Sequence, residues 1–191
     1  MSPKEILHGY LKTAREALLW KLDGLSEYDV RRPLTNSGTN LLGIVKHVAS
    51  VELGYFTDTF GRACPIELPW FADGAAPNLD MFATSDESRD DIVALYHTSW
   101  DASDSTIHDL DLDSPGVVPW WADEKKNVTL HQILVHMTAE TNRHAGHADI
   151  VRELIDGGIG YRHSAMNLPD FDGEQWTNYV AVVQKNADVY R

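Results

Sequence analysis

The sequence predicts an all-α protein, an up-down-up-down bundle of four antiparallel helices with long connecting loops and an additional C-terminal helix. Three observations carry this expectation. Helix-start signals recur along the chain, four long runs repeat their apolar residues at helical spacing, and no two segments pair convincingly as strands.

The elements follow in order. Ser2-Pro3-Lys4-Glu5 combines a capping box with proline at the first helical position and opens a run that ends near Gly24. A second run starts at Thr39 or Asn40, carries Leu41, Ile44, Val48, Val51 and Tyr55 on one face, and stops near Gly61, ahead of Pro65 and Pro69. Thr84-Ser85-Asp86-Glu87 reads as another capping box, placing a third helix through Ile92, Leu95, Tyr96, Ser99 and Ile107. Thr129 caps the fourth and strongest run, which reaches Ile155 and the Gly157-Gly158 stop after roughly 40 Å. A capping-type Asp172-x-x-Gln175 starts the fifth helix, predicted to about Lys185.

Two connections are long, 62–84 and 111–128, and both hold prolines and large aromatics, Trp70 in one and Trp120-Trp121 in the other. Long loops in a compact domain tend to carry function, so the tryptophans either close a pocket over one end of the bundle or act as lids on its core.

The chain of 191 residues, 43% hydrophobic and 24% charged, fits one ordinary domain over 1–191 with a real core. Residues 1–6 show no basic run ahead of an apolar stretch, and no eighteen-residue uncharged apolar run occurs anywhere. The expectation is a cytoplasmic protein that contacts no membrane. A formal charge of −13 without a Lys/Arg cluster argues against nucleic acid, because a phosphate backbone would be repelled. Cys64 is the sole cysteine, which excludes an internal disulfide and leaves histidine and carboxylate as the main metal ligands.

On the fourth run, at about 100° per residue, His136, His147, Glu140 and His144 fall within one arc of about 80°. Ile133, Val151 and Leu154 share that arc, so the face reads as turned to the core. Imidazoles and a carboxylate buried there need compensation, which a divalent ion or a His-Glu hydrogen-bond network would provide. His136 and His144 stand about 12 Å apart along the axis, too far for one ion. Spacing leaves three pairs open: His136 with Glu140, Glu140 with His144, or His144 with His147. His47, in the middle of the second run, is the candidate ligand from another helix. His8, His97, His108, His131 and His163 read as solvated, as do Asp109, Asp111 and Asp113. No His-Glu-x-x-His protease motif or Gly-x-Ser-x-Gly elbow is present, and Gly157-Gly158-Ile159-Gly160 lacks the strand that a phosphate loop needs.

Gly43-Ile44-Val45-Lys46-His47, with Val135-His136-Met137, Glu140 and His144-Ala145-Gly146-His147, resembles the DinB-like superfamily of metalloenzyme bundles over nearly the whole chain. Trp120-Trp121 and the Thr129-Leu130 cap are similar to its actinobacterial branch, which includes mycothiol-dependent maleylpyruvate isomerases and thiol S-transferases. Many superfamily members use three histidines, whereas those isomerases use a His, Glu and His set. The resemblance therefore implies His47, Glu140 and His144 as metal ligands, with His136 and His147 beside them and Trp120 and Trp121 lining the pocket.

The function implied is a divalent-metal-dependent thiol S-transferase, with mycothiol as the low-molecular-weight thiol cosubstrate and a small electrophile as the second substrate. Zinc is the first candidate ion, with nickel or iron as alternatives. A metal-dependent hydrolase of the same fold, and a non-catalytic metal-binding or stress-response protein, are the competing readings. A homodimer formed through an exposed helix face is compatible with such a bundle.

Overall fold

The computed structural model describes residues 1–163 and 165–191. Four helices form the bundle: α1 (Pro3–Leu19), α3 (Leu41–Phe56), α4 (Arg89–Asp109) and α5 (Leu130–Asp156), with the short α2 (Glu27–Arg31) between the first two. A further helix, α6 (Gly173–Asp188), follows. Within the bundle α3 packs along α4, α1 along α5, and α3 also meets α5.

The caps read from the sequence form as hydrogen bonds. Ser2 Oγ accepts from the Glu5 amide while the Glu5 carboxylate accepts from the Ser2 amide, satisfying two donors that the first turn would otherwise orphan. Asn40 and Thr129 cap α3 and α5 with the side-chain oxygen alone, which accepts from the Gly43 and Gln132 amides, and α5 ends on Gly157 in the left-handed region at φ 75°. Asp172 and Gln175 complete a capping box on α6.

The start of α4 differs from the expectation. Thr84 and Glu87 make only the return bond, from the Thr84 amide to the Glu87 carboxylate. Glu87 is occupied elsewhere, since its carboxylate holds the Lys46 ammonium at 2.8 Å and its carbonyl accepts from Arg31 at 2.7 Å. The helix opens one turn later on Ser88, which makes both reciprocal bonds with Asp91.

The expectation of no strand pair is also corrected. Strands β1 (Pro115–Val117) and β2 (Asn127–Thr129) form a small antiparallel hairpin with Gly116 opposite Val128. Three-residue strands are too short for alternation to register in the sequence. A Cβ on Gly116 would come within 2.8 Å of the Phe60 ring and 2.9 Å of the Thr59 carbonyl oxygen, so glycine is what lets the hairpin lie against the end of α3. This hairpin carries Trp120 and Trp121 in its loop.

Helix α3 is the central element. All but three of its 16 residues are buried, among them Leu42, Val45, Val48, Leu53 and Phe56. A helix apolar nearly all round belongs in the middle of a core. Two apolar clusters flank it, one around Leu18, Leu42, Val45, Tyr96 and Ala148, the other around Leu11, Phe56, Ile133, Leu134 and Met137. No helix of the described residues is long and apolar enough to cross a membrane.

Candidate metal centre

His47 and the Glu140–His144 pair come from α3 and α5, which pack against each other, and their side chains converge. One ligand-type atom from each of the three lies within 4.8 Å of the other two. Glu140 Oε1 is 3.0 Å from His144 Nε2 and 3.7 Å from His47 Nε2, and the two imidazole centroids are 4.9 Å apart. Two ligands about 2.0–2.1 Å from a tetrahedral ion stand about 3.3–3.4 Å from one another. The two spacings to Glu140 bracket that value, and a neutral His, Glu and His set is a donor set that suits a zinc-type ion.

Side-chain exposures of 19% for His47, 26% for Glu140 and 12% for His144 place the group at the edge of the core, in reach of solvent. The electrostatics suit metal binding. Burial lowers the His144 pKa, with His47 adding to the effect and Glu140 opposing it, which favours the neutral imidazole with its one free lone pair. Burial would raise Glu140, but His144 and His47 outweigh it and hold the carboxyl below its ordinary value. Neutral imidazole and ionised carboxylate are the ligand forms.

The flanking residues divide. His136 is half-buried, its ring edge-on to Tyr55 at 4.7 Å and to Trp121 at 5.2 Å, and burial lowers its pKa. His147 is exposed, although its ring lies 5.4 Å from that of His144, and it stands outside the converging group. Leu154, expected on the inward arc, is 61% exposed. The buried face of α5 runs through Leu134, Met137, Ala145, Ala148 and Arg152, so the arc lies along its edge, where Leu154 reaches solvent while Val151 stays buried.

The tryptophan pair also splits. Trp121 is partly buried against the second apolar cluster and donates its indole N–H to Tyr55 Oη at 2.9 Å. Trp120 is half-exposed and lies across Gly54, where a Cβ would come within 3.3 Å of the indole. Tyr55, read in the sequence only as part of an apolar stripe, joins both tryptophans to His136.

One residue of the site escaped the sequence altogether. Asp80 sits on a single 3-10 turn, Leu79–Met81, within the long loop before α4, and its carboxylate is 2.6 Å from His47 Nδ1. No local spacing marks it, because 33 residues separate it from His47. Four of the histidines read as solvated, His97, His108, His131 and His163, are exposed, while His8 is half-buried and bonds Asp104 at 2.7 Å. Asp109, Asp111 and Asp113 are exposed, with Asp109 paired to Arg62.

Among known proteins, the family model described as mycothiol-S-transferase matches residues 6–157. No curated protein matches the chain. A solved structure described as the conserved protein of locus from Enterococcus faecalis is similar over 83% of this chain and 99% of its own, with a TM-score of 0.59 and 15% identity. That likeness supports the fold. The matched stretch spans the four bundle helices together with His47, Glu140 and His144, and leaves out α6. The chain belongs to the mycothiol-S-transferase family of the DinB-like superfamily.

Proposed function

We propose that this protein is a divalent-metal-dependent thiol S-transferase that joins a low-molecular-weight thiol, mycothiol by the family it belongs to, to a small electrophile. The observation that carries the reading is the convergence of His47, Glu140 and His144, with one ligand-type atom of each within 4.8 Å of the others, inside the stretch shared with the family. Zinc is the ion that these donors suit first. When bound, such an ion favours the deprotonated thiol and so supplies thiolate at neutral pH.

Three protein ligands leave at least one position for an exogenous group, which is the pattern of a catalytic rather than a sealed structural site. Glu140 and His144 hold their side of the site rigidly, since they stand one helical turn apart on a well-packed helix. The thiol loses its proton to solvent, and its sulfur bonds to the electrophilic carbon as that carbon's π bond, or its bond to a leaving group, takes the displaced electron pair. His136, one turn before Glu140 on α5, lies edge-on to Tyr55 of α3 and to Trp121 of the hairpin loop, an aromatic group suited to a partly apolar electrophile. Cys64 takes no part: its exposed thiol contacts the Ile66 carbonyl in a proline-rich loop.

Elemental analysis of the wild-type protein beside His144→Ala tests the reading. About one ion per wild-type chain and a large loss in the variant are expected, together with thiol-conjugating activity that chelation abolishes while helicity measured by circular dichroism stays nearly intact. Equally negligible metal in both proteins would overturn it, and collapse of the helices on chelation would favour a structural ion instead.

A further inference from the structure

We propose that Asp80 is a positioning residue for the metal centre, fixing the His47 ring so that its Nε2 lone pair is turned to the ion. This rests on the metal reading above and adds to it a residue outside the ligand set. A carboxylate only accepts, so at 2.6 Å it takes the hydrogen of Nδ1, and the lone pair of the neutral ring is then left on Nε2. Nε2 is the nitrogen that faces Glu140.

The loop carrying Asp80 is built to hold it there. Lys46 is 1% exposed, and its ammonium donates to the carbonyls of Leu79 at 3.0 Å and Phe82 at 3.1 Å, one on each side of Asp80. The same ammonium is anchored by Glu87 and lies 4.1 Å from the centre of the Trp70 ring. Asn40 donates its side-chain amide to the Met81 carbonyl at 3.1 Å. Gly43 provides the room, because a Cβ there would lie 1.8 Å from that same carbonyl oxygen. Asn78 enters the turn in the left-handed region at φ 63°. The cap residue Asn40 with Gly43 and Lys46 of the first half of α3 thus fastens a three-residue turn, and the side chain delivered is a carboxylate with only 13% exposure. A carboxylate so enclosed is costly without a partner, and His47 is the partner it has.

The support is also one-sided. Among the described residues His144 Nδ1 is buried with no hydrogen-bond partner, so of the two histidines only His47 is held there by an outer carboxylate. Such carboxylates fix ring orientation and raise ligand basicity, and their loss costs about 10–100-fold in metal affinity.

The test measures Zn2+ affinity by competition with a chromophoric chelator for the metal-free wild type, Asp80→Asn, Asp80→Ala and the exposed loop control Asp73→Asn. Thermal melts of the metal-free proteins establish that each is folded. Asparagine keeps an acceptor and loses the charge, so the expected order is graded: Asp80→Asn weaker by up to about tenfold, Asp80→Ala by about 10–100-fold, and Asp73→Asn unchanged. Co2+ substitution should show an altered visible spectrum in Asp80→Ala, which a merely destabilised loop remote from the ion would not produce. A wild type that binds one ion, with both Asp80 variants within about twofold of it, overturns this proposal and leaves the metal reading standing. A wild type that binds no ion overturns both.

Discussion

Gly43 stands one helical turn before His47 and touches no ligand, yet it bears on the site through the Met81 carbonyl that it admits. Gly43→Ala is expected to push the 79–82 turn off α3, destabilising the protein by about 1–3 kcal/mol in urea unfolding and weakening metal binding in the same direction as Asp80→Ala. Gly146, on α5 with open space around its Cβ position, is the matching control, and alanine there should leave metal affinity unchanged. At this scale the sequence was informative about some residues and silent on others. His47, Glu140 and His144 were legible because two share a helical face and all three match a family pattern. Asp80 and Tyr55 were not, because one is brought in by a loop and the other looks like ordinary core.

Among the elements, α4 gives the sharpest contrast between a local signal and its outcome. Two capping-box sequences follow one another in Thr84–Asp91, and only the second starts a helix, since Lys46 and Arg31 draw Glu87 into contacts with α3 and α2. Ser88→Ala is therefore expected to cost about 1 kcal/mol of stability, whereas Ser85→Ala stays within about 0.5 kcal/mol. Other ends are satisfied from a distance. Lys4 donates to the His108 and Leu110 carbonyls at the end of α4, and Arg152 of α5 to the Lys21 and Asp23 carbonyls after α1. Helix α6 is the opposite case. Its caps are complete but none of its residues is buried, so removal of residues 171–191 should leave the thermal midpoint of the remaining bundle nearly unchanged.

Across the whole molecule, the bundle closes over a polar network that shares no residue with the candidate metal site. Arg15 and Glu52, both almost fully buried, pair at 2.7 Å, and Arg15 also reaches Asp104, which holds His8 and Lys12. Burial pushes Glu52 up while Arg15 pulls it down, with a net rise. Arg15→Leu should cost about 3–5 kcal/mol by leaving Glu52 buried and unpaired, while the double change Arg15→Leu with Glu52→Leu should recover most of that loss. Burial would also raise Asp104, but bonds from His8, Arg15 and Lys12 hold it well below the usual carboxylate range. A carboxyl depressed in the folded state contributes stability that is complete above its unfolded value near 4 and is lost as the pH falls toward its folded value. Denaturant titrations between pH 5 and pH 2 should thus show a steeper acid loss in the wild type than in Asp104→Asn; parallel profiles would remove this assignment.

The sequence by itself determined the five long helices, most of their ends and the inward face that carries Glu140 and His144, because periodicity and capping are local properties written within a few residues. Only the tertiary structure decided which His and Glu atoms meet, that Asp80 stands behind His47, that Trp121 packs inward while Trp120 lies over Gly54, and that a buried Arg–Glu pair spans α1 and α3. Those outcomes depend on distances between segments tens of residues apart, set by how the helices pack. The candidate site spans both levels: the chemistry of its side chains was legible in the sequence, and their convergence came from packing α3 against α5.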